Sequence, residues 1–222
     1  MEPNAPPSVA PMNSDGEKIP PDAPDPRLAE LVPQLTIIDQ LIEDVARFKT
    51  RRETAQDEAL RQFWSEEIAR LEKLVRARQR QLVAAIRRHD DLARKLSLIA
   101  SVDAIGVPTA VTILIRMPEI GEITREQAAA LAGLALYDDD SGDCFGARHI
   151  EGGRKRLRHA LYNAAFAGAF HWNDRLKALY SRLTSAGKPH KLALVACARK
   201  LIIFANTVVA RGTPWLSQAA EG

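Results

Sequence analysis

Apolar positions in this chain fall at helical spacing from Leu28 onward, and the spacing comes in two series. The first runs Leu28, Leu31, Leu35, Ile38, Ile42, Val45, a three-four alternation that places one apolar stripe along a helix. A second runs Trp64, Ile68, Leu71, Val75, Arg78, Leu82, Ala85, His89, Leu92, Leu96, Ile99, the spacing of a coiled coil. The two are out of phase across the polar stretch Thr50 to Glu58, which holds neither Gly nor Pro. The pattern therefore admits either one helix with a register shift or an antiparallel hairpin. In both cases residues 28–97 form a long coiled-coil arm, with Arg78 and His89 in its seam, covered by aliphatic stems or sitting at an opening. Such an arm joins subunits or domains, and a homo-oligomer through it is expected.

Beyond the arm, Leu98 to Leu114 reads as an apolar helix end, a turn at Ile105 and Gly106, and a second helix opening near Pro108, where proline suits the missing amide donor. A turn of this kind points backbone donors outward and resembles a helix-hairpin-helix, with Ile105 and Gly106 at the contact. A purely structural corner accounts for it equally well. Met117-Pro-Glu-Ile-Gly121 ends that helix, and Thr124-Arg-Glu-Gln127 has the form of a capping box. Further helices are expected from about Gly153 to Phe170, from the His171–Asp174 break through Leu183, and from Pro189 to Gly212. Strand alternation is missing after Leu28, although a short hairpin through Gly142 to Ile150 stays open. The expectation is an all-α fold, in which a compact helical domain (98–216) follows the arm and a short tail (217–222) closes the chain.

Residues 1–27 hold most of the chain's 13 prolines and few large apolar side chains, so they cannot bury enough surface to offset their ordering entropy and are expected to be a disordered head. A hydrophobic fraction of 46% suits a packed core. The formal net charge of +3 decides little by itself; whether the 31 basic and 28 acidic residues are mixed or segregated decides more. With two cysteines and no CxxC, neither zinc binding nor a disulfide framework is indicated. No apolar run reaches the roughly 18 residues of a membrane span and no signal peptide opens the chain, so a cytoplasmic location without a membrane partner is expected.

The chemistry concentrates between Tyr137 and Arg158. Ser141 stands among Asp138, Asp139, Asp140 and Asp143, and three glycines (Gly146, Gly152, Gly153) separate it from Arg154, Lys155, Arg156 and Arg158. A serine hydroxyl is a weak nucleophile that needs a base or a stabilised transition state. Attack on a phosphodiester builds charge on the nonbridging oxygens, which guanidinium groups such as Arg148, Arg154 and Arg158 meet bidentately. Against that reading, a Ser-Gly pair flanked by Asp also serves as an ordinary turn. His149 and His159 stand as bases or as ordinary surface histidines, and Cys197 as small-residue packing.

Leu96 to Trp215 resembles the C-terminal domain of the IS-one-ten family of insertion-sequence transposases, the bridge-RNA-guided serine recombinases. The resemblance rests on an ordered series that begins with Ile105-Gly106, Pro118-Glu-Ile-Gly121, Leu131-Ala-Gly-Leu134, Ser141-Gly142 and Gly152-Gly-Arg154. It continues with Arg158, Leu161-Tyr162, Tyr180, Arg182-Leu183, Gly187-Lys-Pro189 and Arg199-Lys-Leu201. It implies that Ser141 is the nucleophile joining covalently to DNA, and that Lys188, Arg199 and Lys200 join the arginines in phosphate binding. It further implies a structured guide RNA as partner, and Mg bound by an N-terminal RuvC-like domain. This chain has the Pro-rich head where that domain should end, so no metal or cofactor site is assigned to the chain itself. Ala104 and Ala147 stand where the family more often has glycine and a basic residue. Two functions follow: a DNA transposase or recombinase domain dependent on a separate metal-binding domain, or a non-catalytic nucleic-acid-binding and oligomerisation module, a transposase remnant.

Overall fold

The apolar series become helices with definable ends in the computed structural model, which describes residues 25–134 and 154–216. In chain order these are α1 (Pro26–Ala29), α2 (Val32–Thr54), α3 (Glu58–Ile86), α4 (Asp90–Ala100), α5 (Val107–Arg116), α6 (Arg125–Leu131), α7 (Lys155–Ala167), α8 (Asp174–Ser185) and α9 (His190–Arg211). A π turn, Gly168–Trp172, continues α7. The described chain is all-α and contains no strand. Residues 1–24 of the head, the tail, the Gly142–Ile150 hairpin and the residues Ser141 and Arg148 lie outside the described residues; the last residues of the expected disordered head, Asp25 to Arg27, instead cap and open α1.

The arm is a hairpin. Helix α2 stops at Thr54, Ala55 turns extended (φ −68°, ψ 128°), and the Asp57 carboxylate accepts the Leu60 amide to start α3, which packs back along α2. The break thus arises from an N-cap, not from Gly or Pro. Val45, Ile68 and Leu71 form a small core near the tip, beside Leu41 and Phe48. There the Phe48 and Trp64 rings meet at 5.0 Å, Arg51 lies over both rings, and Lys49 pairs with Glu72 at 3.0 Å. Leu35, Ile38, Leu82 and Ile86 at the base merge into the main core.

Two details depart from the expected seam. The buried residues of α3 are Ile68, Leu71, Val75, Leu82 and Ile86, so Ile86 takes the place expected of Ala85, and Arg78 is exposed. The reason is periodicity: a straight helix of 3.6 residues per turn drifts from a strict heptad, and the stripe follows the helix. The second apolar series is also two helices, because α3 ends at Ile86 and the exposed His89 is the N-cap of α4. Arg27 bridges Asp25 and Asp91 at 2.7 Å each, clasping α1 to the first turn of α4.

Helix α9 is the core's axis, contacting α4, α6, α7 and α8. By length and composition it could cross a membrane, but its Leu194, Cys197, Ala198, Leu201, Ile202 and Ala205 are wholly buried in this fold. Burial pushes the Cys197 thiol up to about 11, in keeping with a packing role. Asn206, also buried, accepts the Gly121 amide (2.7 Å) and donates to the Ile123 carbonyl (2.8 Å), fixing the α5–α6 connection. The capping box at Thr124 and Gln127 forms as expected, and Gly212 ends α9 in the left-handed region.

Candidate nucleic-acid interface

The turn between α4 and α5 is held from three sides. Asn173 caps α8 through its Oδ1 and donates from Nδ2 to the Asp103 carbonyl at 3.0 Å. Trp215 donates its backbone amide to Ser101 (2.8 Å) and its indole N–H to Asp103 (3.0 Å), and Arg175 lies over the indole at 4.8 Å. Ala104 adopts φ +80°, a left-handed conformation that costs a non-glycine residue about 1–2 kcal/mol. Glycine is the residue that takes such a position without that cost. Close behind lies Gly168 of the π turn, where an added Cβ would come within 2.7 Å of the Ala104 methyl. Ile105 is buried as a core anchor and Gly106 is the N-cap of α5. The first-turn amides of α5 are thus left without helical partners, at the positive end of the helix dipole.

That helix start opens onto a groove of about 1640 Å³ between the base of the arm and α7. Arg76 and Arg80 of α3 and Arg87 and Arg88 just past its end line it, with Lys155, Arg156 and Arg158 of α7 and Lys191 of α9, while Val107, Pro108 and Thr109 of α5 form part of its wall. Two carboxylates face these cations, Asp39 and Glu43. Asp39 receives both Arg116 (2.6 Å) and Arg156 (3.0 Å), and Glu43 lies 3.7 Å from Arg156. Arg76 pairs with Glu72 at 3.8 Å. Arg80, Arg87, Arg88, Lys155 and Lys191 are exposed and make no ion pair within the described residues. Eight cationic side chains thus line one concave face against two carboxylates, a local excess of positive charge that suits a polyanion.

The residues singled out from sequence divide into groups. Arg158 lines the groove and donates to the Gly133 carbonyl at 3.3 Å. Arg154 instead grips Glu119 bidentately (3.0 and 2.7 Å) and donates its amide to the Leu131 carbonyl (3.0 Å). Arg154 thereby holds the Glu119 carboxyl below the usual carboxylate range. Lys188 is exposed in the α8–α9 turn, Arg199 is half-buried, and Lys200 sits over the Phe204 ring at 5.4 Å; none of the three lines the groove. Sequence reading missed the α3 arginines, because nothing local shows that a helix more than 60 residues before α7 lies opposite it. The Arg87-Arg88 pair at the expected end of a seam was the available signal. Among the described residues no group of three or more His, Cys, Asp or Glu side chains could hold a metal ion.

The segment bearing Ser141 departs from Leu134, a groove residue, and returns at Arg154 and Lys155, where the Arg154–Leu131 hydrogen bond ties its two flanks together. Comparison with known proteins bears on that segment directly. Residues 96–181 match the transposase IS116/IS110/IS902 family. The match begins in α4 and covers the turn, the α5 and α7 residues of the groove and Ser141. An insertion element IS110 protein of 43.6 kDa from Streptomyces coelicolor is 29% identical over 127 residues, 56% of this chain and 31% of that protein. Pilin gene-inverting proteins of Moraxella bovis and Moraxella lacunata are each 26% identical over 155 residues, 68% of this chain and 46% of theirs. The chain thus spans less than half the length of these relatives.

Proposed function

We propose that this chain is the helical part of a DNA transposase or recombinase, in which the groove seats a DNA backbone and Ser141 attacks a phosphodiester. The observation that carries the reading is charge segregation: the groove's exposed, unpaired cations gather where both flanks of the Ser141 segment meet. In the step envisaged, Ser141 Oγ forms a bond to phosphorus, the bridging P–O bond breaks, and the departing deoxyribose oxygen takes up a proton. Arg148 and Arg158 stabilise the nonbridging oxygens, helped by the unpaired amides of α5. Arg154 joins them only where phosphate displaces Glu119. The pilin gene-inverting relatives suggest DNA inversion or transposition as the reaction class. A structured guide RNA, a RuvC-like metal-binding domain and a second copy of the chain docked through the arm are partners in this reading.

Covalent capture tests it. The protein is incubated with element DNA, Mg and the partner domain, then denatured; a protein–DNA adduct present in the wild type and lost in Ser141→Ala is expected. No adduct, or one that persists in Ser141→Ala, refutes the nucleophile. A second reading, a non-catalytic nucleic-acid-binding module, is favoured by one feature: the free cations of α3 and α9 do not depend on Ser141. On that reading affinity falls steeply with salt, and Arg80→Gln and Arg88→Gln each lower the slope by about one.

A further inference from the structure

Beyond the groove, α7 carries one continuous stripe of a different chemistry. His159, Asn163 and Phe166 recur at spacings of four and three, hence on one helical face, and Phe170 of the following π turn extends the line by contact with the Phe166 ring. His159 and Asn163 line the groove and contact each other at 3.2 Å. Phe166 and Phe170 leave it, with 50% and 41% of their surface exposed. The Phe166 and Phe170 rings touch at 5.1 Å, Phe170 meets Tyr180 of α8 at 5.0 Å, and Tyr180 meets His190 of α9 at 5.7 Å. The Tyr180 hydroxyl bonds His190 Nδ1 at 2.6 Å, locking the far end. Lys191, next to His190, returns to the groove, and Lys188 stands exposed just before it. The result is a shelf of rings rimmed by cations at the groove's mouth.

We propose that this shelf of Phe166, Phe170, Tyr180 and His190 is a stacking platform for unpaired DNA bases on a strand whose backbone leaves the groove. The inference rests on reading the groove as a DNA-backbone site. Three features favour it. The Phe166 and Phe170 rings meet tilted, at an interplanar angle of 53°, so neither lies flat on the other, and each keeps aromatic surface open to solvent. Solvated aromatic surface beside phosphate-binding cations is the combination that single strands use, since every base has a π-face. A duplex hides those faces and gains nothing from the shelf, whereas strand exchange necessarily exposes them.

The test measures binding of oligo-dT of about 12 nucleotides, within the ~4–16-nucleotide range of single-strand sites, against a duplex and an oligo-U of equal length. Three variants of the full chain are compared: Phe166→Leu/Phe170→Leu, Phe170→Trp and Arg80→Gln/Arg88→Gln. The leucine pair should weaken oligo-dT binding about 5-fold to 150-fold, leave duplex binding nearly unchanged and keep the thermal midpoint. Phe170→Trp, which retains a π-face, should bind oligo-dT as well as the wild type. The arginine pair should weaken both DNA probes. Oligo-dT binding that ignores the leucine pair overturns the platform, as does an equal loss on single strand and duplex. A loss confined to oligo-U assigns the shelf to RNA and overturns it too. If the arginine pair changes neither DNA probe while the leucine pair still weakens oligo-dT, the groove reading fails and the shelf stands.

Discussion

Replacing Asn206 by alanine isolates what one buried side chain does for the frame behind the groove. Asn206 is 4% exposed, and its amide is the partner of both the Gly121 N–H and the Ile123 carbonyl. Gly121 sits at φ +94°, and a Cβ there would lie 2.4 Å from Val209, so the connection has little freedom to move elsewhere. Asn206→Ala removes both hydrogen bonds and strands two backbone groups. At about 1–3 kcal/mol for each group left unsatisfied, and with partial relief where water reaches the connection, the loss should be about 2–4 kcal/mol. For a chain of this size each kcal/mol moves the midpoint by about 2–4 °C, so a fall of about 4–16 °C is expected. Urea unfolding followed by circular dichroism reads the free energy, with an unchanged m-value confirming an intact denatured state. Asn206→Asp is the discriminating control: it keeps an acceptor for Gly121 but sets a carboxylate against the Ile123 carbonyl, so it should be no better than alanine. A loss below about 0.5 kcal/mol for Asn206→Ala, or an aspartate variant as stable as the wild type, would refute the reasoning.

Other perturbations probe the same frame. Glu119→Gln breaks the clasp to Arg154; because the pair is partly exposed, about 0.2–1 kcal/mol is expected, read as a small drop in midpoint at neutral pH. Arg154 depresses the folded-state pKa of Glu119, so the carboxylate's contribution is full above its unfolded pKa, near 4.5, and fades as pH falls through the lower folded value. The difference between wild type and Glu119→Gln should therefore shrink below about pH 4.5 and persist above it; an equal difference at every pH would count against the clasp. Gly168→Ala should cost about 1–3 kcal/mol through overpacking, because its methyl would meet Ala104 at 2.7 Å and Leu176 at 2.9 Å. In an Ala104→Gly background that cost should shrink, since one of the clashing atoms is gone. A thermal-denaturation cycle that returns simple additivity would disprove the contact.

Much of the local structure is legible in the residues. Thr124 and Gln127 announce their capping box, Gly212 its helix end, and Asn173 the start of α8, because each acts through groups within a few residues of itself. The all-helical class follows from the apolar spacing, which is likewise a short-range property. Ser141 stands out for a different reason: the ordered family series around it is a sequence property and needs no coordinates.

Tertiary structure alone decided the rest, and in each case the reason is distance along the chain. A polar stretch without Gly or Pro permits a helix to continue or to fold back; packing of Leu71, Val75 and Leu82 against α2 selects the hairpin. That the Arg154 guanidinium holds Glu119, 35 residues earlier, is invisible in the sequence around it. The groove exists only because folding sets α3 and α7 on its two sides, which gathers arginines spread along a solvated helix face into one wall of a concave surface. Spacing within a helix can be read from neighbouring residues, but charge concentrated in a concave surface depends on which distant elements share it.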